Sequence, residues 1–325
     1  MISSILIYKT DSKNPYENLA REKYLFDTLP QNALILYLWQ NENTVVIGRN
    51  QNPWAECNCA LLESESGHLA RRLTGGGAVY HDVGNLNFTF ICHAEDYDLS
   101  KHLEVIKNAA AKSGIETEIS GRNDILASGR KFSGNAFYNS NGKSLHHGTI
   151  LISADTEKMS RYLTPSQEKL KAKGVKSVRA RVINLSEIAP TLTPEIMAQN
   201  MISAVSEIFP AAAITHSDTN EEAIEIIAKD FHDWNFRYGK TVAFSFSAKD
   251  KFDWGQADLS LDVKNGVISD AVMYTDSMDA DLSDTVSSAL KGIRLSRKEI
   301  ESSLFSVLPE EIAFDILSTF IDQLL

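Results

Sequence analysis

The chain has 325 residues, 43% hydrophobic and 23% charged, an ordinary balance for a folded protein of roughly two domains. Its net charge of −11 excludes the positive field that non-specific binding to nucleic acid or a membrane surface needs, so any anion must be held by a local cluster of cations. No apolar run approaches the ~20 residues that cross a bilayer. The opening MISSILIYKTDSK has neither a basic leader nor a small-residue cleavage site, so a cytoplasmic location is expected.

In chain order, NPYENLAREKYLFDTL predicts a helix capped by Asn14, with Pro15 at its first position and Leu19, Phe26 and Leu29 at helical spacing. Two strands are expected at 33–40 and 44–48, rich in apolar and β-branched residues. Three cysteines, Cys57, Cys59 and Cys92, are too few and too irregular for a disulfide framework or a zinc site, and read as buried reduced thiols. NLNFTFIC alternates Leu86, Phe88 and Phe90 with Asn87 and Thr89, a half-buried strand. LEVIKNAAAKSG predicts a helix closed by Gly114, and 145–153 a further strand. Two helices follow, one opened by Thr193 and Pro194, the other after Asn220. Then the pattern alternates on both sides of Asn265–Gly266, a hairpin signal because both turn positions take positive φ. Helical patterns close the chain. The boundary is expected near 245–251, giving a domain over 1–246 and a smaller α+β domain over 252–325. Strands and helices do not alternate as βαβ units, so the fold class expected is α+β.

Three stretches carry chemistry. In RRLTGGGAVYHD, glycine amides can form an anion-binding nest beside Arg71 and Arg72; neighbouring side chains diverge, so one arginine is expected to face the site. A flexible loop with solvated arginines is the ordinary alternative. GRKFSGNAF sets Lys131 near Gly129 and Gly134, where an ammonium can approach a ligand closely. Asp124 reads evenly as a Mg²⁺ ligand or a turn residue. In LHHGT, a strand would put His147 and Thr149 on one face and His146 on the other. Finally, Lys169, Lys171, Lys173, Lys176, Arg179 and Arg181 are six cations in thirteen residues, either a solvated basic loop or one that closes over phosphate or docks an acidic partner.

Taken together, NTVVIGRNQNPWAECN, ARRLTGGGAVYHDVGNLNFTF, SGRNDI, GRKFSGNAF, HHGTILI, KLKAKGVKSVRARVINL and VMYTDS resemble, in this order and over essentially the whole chain, the two-domain bacterial lipoate–protein ligase A family. The resemblance implies a biotin/lipoate ligase-type catalytic domain with mixed sheets and a small accessory domain. It implies activation of lipoate by Mg-ATP to lipoyl-AMP, releasing pyrophosphate, then transfer to a lysine of an acceptor. The implied acceptors are the lipoyl domains of E2 subunits of 2-oxoacid dehydrogenase complexes and the glycine cleavage H protein. Lys131 is the implied catalytic residue, shared by ATP and lipoate. Arg72, Gly77, Ala78, Val79 and Tyr80 would bind ATP. Gly75, Gly76, Trp39, His81, His147 and Thr149 would line the lipoate site, and Asp124 would hold Mg²⁺. A monomer is expected. The alternatives are an ATP-independent octanoyl or lipoyl acyltransferase of the same fold, which needs a cysteine nucleophile, and a non-catalytic lipoate-binding protein.

Overall fold

The computed structural model describes residues 2–49, 51–120, 124–164, 181–239, 244–275, 277, 279 and 281–325. Met1–Arg49 and Ser66–His232 make one compact unit; Asn50–Glu65 and Asp233–Leu325 make a second.

The first unit opens with β1 (Ser4–Lys9) and α1 (Pro15–Asp27). The Asn14 side chain caps α1 as expected, accepting the Tyr16 N–H at 2.9 Å. β2 (Ala33–Trp39), β3 (Thr44–Ile47), β4 (His68–Arg71), β5 (Val79–His81) and β6 (Asn85–His93) follow, then α2 (Leu99–Ala111). β7 (Glu118–Ser120), β8 (Asp124–Ala127), β9 (Arg130–Ser140) and β10 (Lys143–Leu151) precede α3 (Thr156–Tyr162), α4 (Pro194–Ile208), β11 (Ala213–His216) and α5 (Glu221–His232). An eight-stranded sheet runs β11-β1-β2-β6-β10-β9-β8-β7. β1 is parallel to β2 and to β11, and the other pairs are antiparallel. A smaller sheet, β4-β3-β5, is also mixed. The combination of helices with mixed sheets is the α+β class expected.

Strand alternation sorts the large sheet's residues by face. Leu34, Leu36 and Leu38 of β2 and Leu86, Phe88 and Phe90 of β6 share a core with Val105 and Ile106 of α2 and Met197, Met201 and Val205 of α4. Each such side chain removed from water contributes about 1.5–3 kcal/mol. The residues between them, Tyr37, Trp39, Asn87 and Thr89, point the other way yet are also buried. That second face is where the site forms.

The second unit holds β12 (Phe244–Phe252), β13 (Gly255–Lys264) and β14 (Val267–Thr275) as an antiparallel sheet, with α6 (Leu282–Leu290), α7 (Arg297–Val307) and α8 (Glu310–Ile316). Asn265 and Gly266 turn the predicted hairpin at φ 53° and 70°. Leu259, Leu261, Ile268 and Met273 of the sheet are buried, as are Val286, Leu290, Ile300 and Leu304 of the helices. The expected division between 246 and 252 is corrected. β12 runs through it, paired with β13 from Phe244 to Phe252. The partner strand lies downstream, so nothing local marks 244–252 as part of the smaller unit. Residues 50–65 also belong there, tied by the Cys59 N–H to Leu325 O at 2.9 Å and by the Tyr238 hydroxyl to Glu63 at 2.9 Å.

Candidate active site

The two arginines before the glycines diverge, as expected. Arg71 is fully buried and donates to the carbonyls of Gly48 (3.3 Å) and Arg49 (3.0 Å). Arg72 turns to the glycine loop. Its Nε donates to Thr74 Oγ1 (2.9 Å), Nη1 to Val46 O (3.1 Å), and Nη2 to Gly75 O (2.7 Å) and Gly77 O (2.8 Å). Burial pulls both guanidinium groups down to about 10, so both stay charged at neutral pH. Gly76 adopts φ +92°, a left-handed conformation, and a Cβ there would sit 2.9 Å from Arg72 Nη2. The loop's carbonyls hold the guanidinium.

On β9, Lys131 extends its ammonium to 2.7 Å from Asp124 Oδ1 on β8, while Arg181 Nη2 lies 2.6 Å from Asp124 Oδ2. Burial pushes the Asp124 carboxyl up, but Lys131 and Arg181 together outweigh it and hold the acid below its usual range. Room for the ammonium comes from Gly134, where a Cβ would meet Lys131 Nζ at 2.7 Å.

β10 places His147 and Thr149 on the face of Lys131 and His146 on the apolar face, as strand alternation requires. His81, at the end of β5, has a fixed tautomer. Asn18 Nδ2 donates to the carbonyls of Ser12 (3.0 Å) and Gln40 (2.8 Å), which fixes that amide. Asn18 Nδ2 also faces Asn41 Oδ1 at 3.0 Å, so Asn41 turns its Nδ2 to His81 Nδ1 at 3.2 Å. The imidazole proton therefore sits on Nε2, a buried donor with no hydrogen-bond partner among the described residues. Burial, with Arg72 and His147 adding to it, pulls His81 down to about 3, so the ring is neutral. Asn87 Nδ2 is a second such donor, its Oδ1 being occupied by Asn85 at 2.9 Å.

These groups surround one cavity of about 250 Å³. Of the predicted residues, Trp39, Arg72, Gly76, Gly77, Ala78, Val79, His81, Asp124, Lys131, His147 and Thr149 reach its wall. Gly75 and Tyr80 do not. Tyr80 is buried against Tyr162 with its hydroxyl 3.2 Å from Asn43, and the Gly75 carbonyl is held by Arg72. The wall also includes Leu19, Val46, Asn87, Asn135 and Arg181. Alternation in NLNFTFIC separated Asn87 from the apolar set, and Arg181 ends the basic run, so both carried a faint signal. The rest of that run, Lys169 to Arg179, lies outside the described residues, as do 121–123 of GRND.

Among the described residues no cluster of three or more His, Cys, Asp or Glu side chains could hold a metal. Asp124 alone suits Mg²⁺ carried by a nucleotide, because that ion is bound through one or two carboxylates plus phosphate oxygens. The thiols of Cys57, Cys59 and Cys92 are free and buried, and none reaches the cavity.

Residues 14–207 match the lipoyl protein ligase A/B catalytic domain family, and 241–321 the bacterial lipoate protein ligase C-terminus. A lipoate-protein ligase A of Psychrobacter cryohalolentis is 40% identical over 306 residues, 91% of this chain and 90% of its own. The crystal structure of P. falciparum LipL1 in complex with lipoate is similar at 30% identity and TM-score 0.64, covering 97% of this chain and 98% of its own. That of lipoate-protein ligase A bound with ATP is similar at 25% identity and TM-score 0.61, covering 73% and 96%. With the catalytic match spanning most of the chain and the ammonium, guanidinium and glycine loop gathered on one cavity, this chain belongs to the lipoyl protein ligase A/B family.

Proposed function

We infer that this chain is a lipoate–protein ligase that joins lipoate to ATP and then to a protein lysine. The observation that carries the reading is the Lys131 ammonium at the cavity wall, given its room by Gly134 and paired with Asp124 at 2.7 Å. In the first half-reaction a lipoate carboxylate oxygen attacks the α-phosphorus of ATP and pyrophosphate leaves. Two anions must meet, and Lys131 offsets their repulsion and the charge that builds in the transition state. Its pairing with Asp124 is broken or shared when the anions bind. Holding both reactants at the reacting distance is worth roughly 7–11 kcal/mol. The nucleotide's Mg²⁺, held by Asp124, would supply further neutralisation of the phosphates. His81 Nε2–H and Asn87 Nδ2–H offer neutral donors to ligand oxygens. In the second half-reaction a deprotonated lysine amine attacks the acyl carbonyl of lipoyl-AMP, an amide forms and AMP leaves.

The acceptors are the lipoyl domains of E2 subunits and the glycine cleavage H protein, and the enzyme works as a cytoplasmic monomer. Among the described residues no helix is long and apolar enough to cross a membrane.

Incubation of an apo lipoyl domain with the protein, lipoate and Mg-ATP should add one lipoyl group by mass, with pyrophosphate released in step. Transfer that proceeds from an octanoylated carrier without ATP would overturn the reading in favour of an acyltransferase. That alternative lacks a nucleophile: burial pushes the Cys92 thiol up to about 12, and no cysteine lies on the cavity.

A further inference from the structure

A continuous hydrogen-bond chain links the buried face of α1 to the glycine loop, and it passes through Thr89 and Glu22, which have no role in the account above. Trp39 Nε1 donates to Thr89 Oγ1 at 3.1 Å, and that hydroxyl donates to Glu22 Oε1 at 2.7 Å. The same Glu22 oxygen takes His147 Nδ1–H at 2.8 Å. A carboxylate only accepts, so the His147 Nδ1 carries the proton and its Nε2 is turned to Thr74 Oγ1 at 2.9 Å. Thr74 Oγ1 in turn accepts Arg72 Nε at 2.9 Å, and the rest of that guanidinium holds the carbonyls of Gly75 and Gly77 at 2.7 and 2.8 Å.

Glu22 is 2% exposed, Thr74 1% and His147 7%, so water cannot replace these partners cheaply. Glu22 does not reach the cavity, yet it fixes the imidazole that fixes the hydroxyl that orients Arg72. Arg72 meets the Val46, Gly75 and Gly77 carbonyls, and Thr74 Oγ1 lies 3.3 Å from the Gly75 carbonyl as well, so a guanidinium rotated out of plane would loosen the loop. The loop backbone is held by this network more than by its own sequence, since three glycines impose almost no conformational preference.

We propose that Glu22 is a positioning residue for the nucleotide half of the site. Through His147 and Thr74 it locks Arg72 onto the glycine-loop carbonyls and so pre-forms the backbone that takes the phosphates. This deepens the ligase reading and rests on it for the phosphate assignment. It also makes the acyl side of the cavity, where Trp39 and His147 stand, mechanically continuous with the nucleotide side.

The test uses the full chain and two independent readouts. Hydrogen exchange of the 75–79 amides in the ligand-free protein needs no activity; pyrophosphate release gives KM for ATP and for lipoate separately. Thr74→Val, which removes the hydroxyl at nearly constant shape, should speed exchange and raise KM for ATP about tenfold, the size of one lost buried hydrogen bond, with KM for lipoate within about twofold. Thr74→Ser, which keeps the hydroxyl, should restore both. Glu22→Ala should act in the same direction, and the Glu22→Ala/Thr74→Val double variant should be no worse than the more severe single one, because the two changes cut one chain. If Glu22→Ala folds poorly, Glu22→Gln replaces it in the single and the double variant. Unchanged loop exchange in Thr74→Val, or additive effects in the double variant, overturns the proposal. Exchange effects in the variants, with no pyrophosphate released by the wild-type protein, would leave the relay standing and sink the ligase reading instead.

Discussion

His146 and His147 are neighbours in sequence and lead opposite lives. His146 faces the apolar side of the large sheet, where its ring lies nearly parallel to His102 at 5.6 Å, and His102 stacks on Phe90 at 4.5 Å. Burial pulls His102 down to about 4 and His146 well below the ordinary imidazole range. On that face the rings serve as neutral packing, with His146 Nε2 held by Asn135 Oδ1 at 2.8 Å. His147, one residue on, sits between Glu22 and Thr74 and looks onto the cavity. Both histidines are buried; what differs is the supply of polar partners, and that separates a face that stabilises from a face that reacts.

The largest expected break of this contrast is Lys131→Ala. It removes the ammonium between two repelling anions, so pyrophosphate release should fall by about a thousandfold or more while the thermal midpoint barely moves. Near-normal release would remove Lys131 from the mechanism. Gly134→Ala attacks the same group by volume alone: the new methyl would sit 2.7 Å from Lys131 Nζ and 2.9 Å from Cε. A displaced ammonium should lower kcat by roughly ten- to a hundredfold with little change in fold, measured by single-turnover adenylate formation.

The apolar face should reveal itself through pH. Unfolded, a histidine takes its proton near 6.5; folded, His102 takes it only near 4, and burial holds His146 well below the ordinary range. Between those values the unfolded chain binds more protons. Stability is therefore full above about pH 6.5 and declines as pH falls toward 4, by about 1.4 kcal/mol per pH unit for each such histidine. His81, down at about 3, adds in the same direction from the cavity side. Urea midpoints between pH 7 and 4 measure this, and a flat profile would contradict the burial argument.

The smallest effect sharpens the comparison most. Among the described residues neither ring nitrogen of His102 has a hydrogen-bond partner. His102→Phe should keep the stack, gain about 1 kcal/mol at neutral pH and flatten the acid slope by one proton. Adenylation should stay within about twofold of wild type, because His102 is not part of the cavity wall.

Much of the site was legible because its chemistry is written locally. The glycine triplet beside paired arginines and Lys131 with Gly134 three residues on are legible as residue type and short spacing, and the His147–Thr149 face follows from period-two geometry. What stayed hidden were residues whose role depends on a partner far along the chain. Glu22 reads as one more charge on a surface helix, yet it lies 125 positions from the histidine it holds. Asn18 and Asn41 set the His81 tautomer without any motif. Tyr80 sits inside the most specific string and still turns its side chain away, because its ring has a better neighbour in Tyr162.

By itself the sequence determined the elements whose causes are short-range: the Asn14 cap, the Asn265–Gly266 turn, the alternation that sends Phe88 and Asn87 to opposite faces. These need only hydrogen bonds and sterics within a few residues. The tertiary structure alone decided which arginine serves the loop, which buried carboxylate anchors it, and where the two units divide. Those outcomes rest on buried polar groups finding partners from distant strands, and a side chain's cost of burial cannot be known until the chain has closed around it.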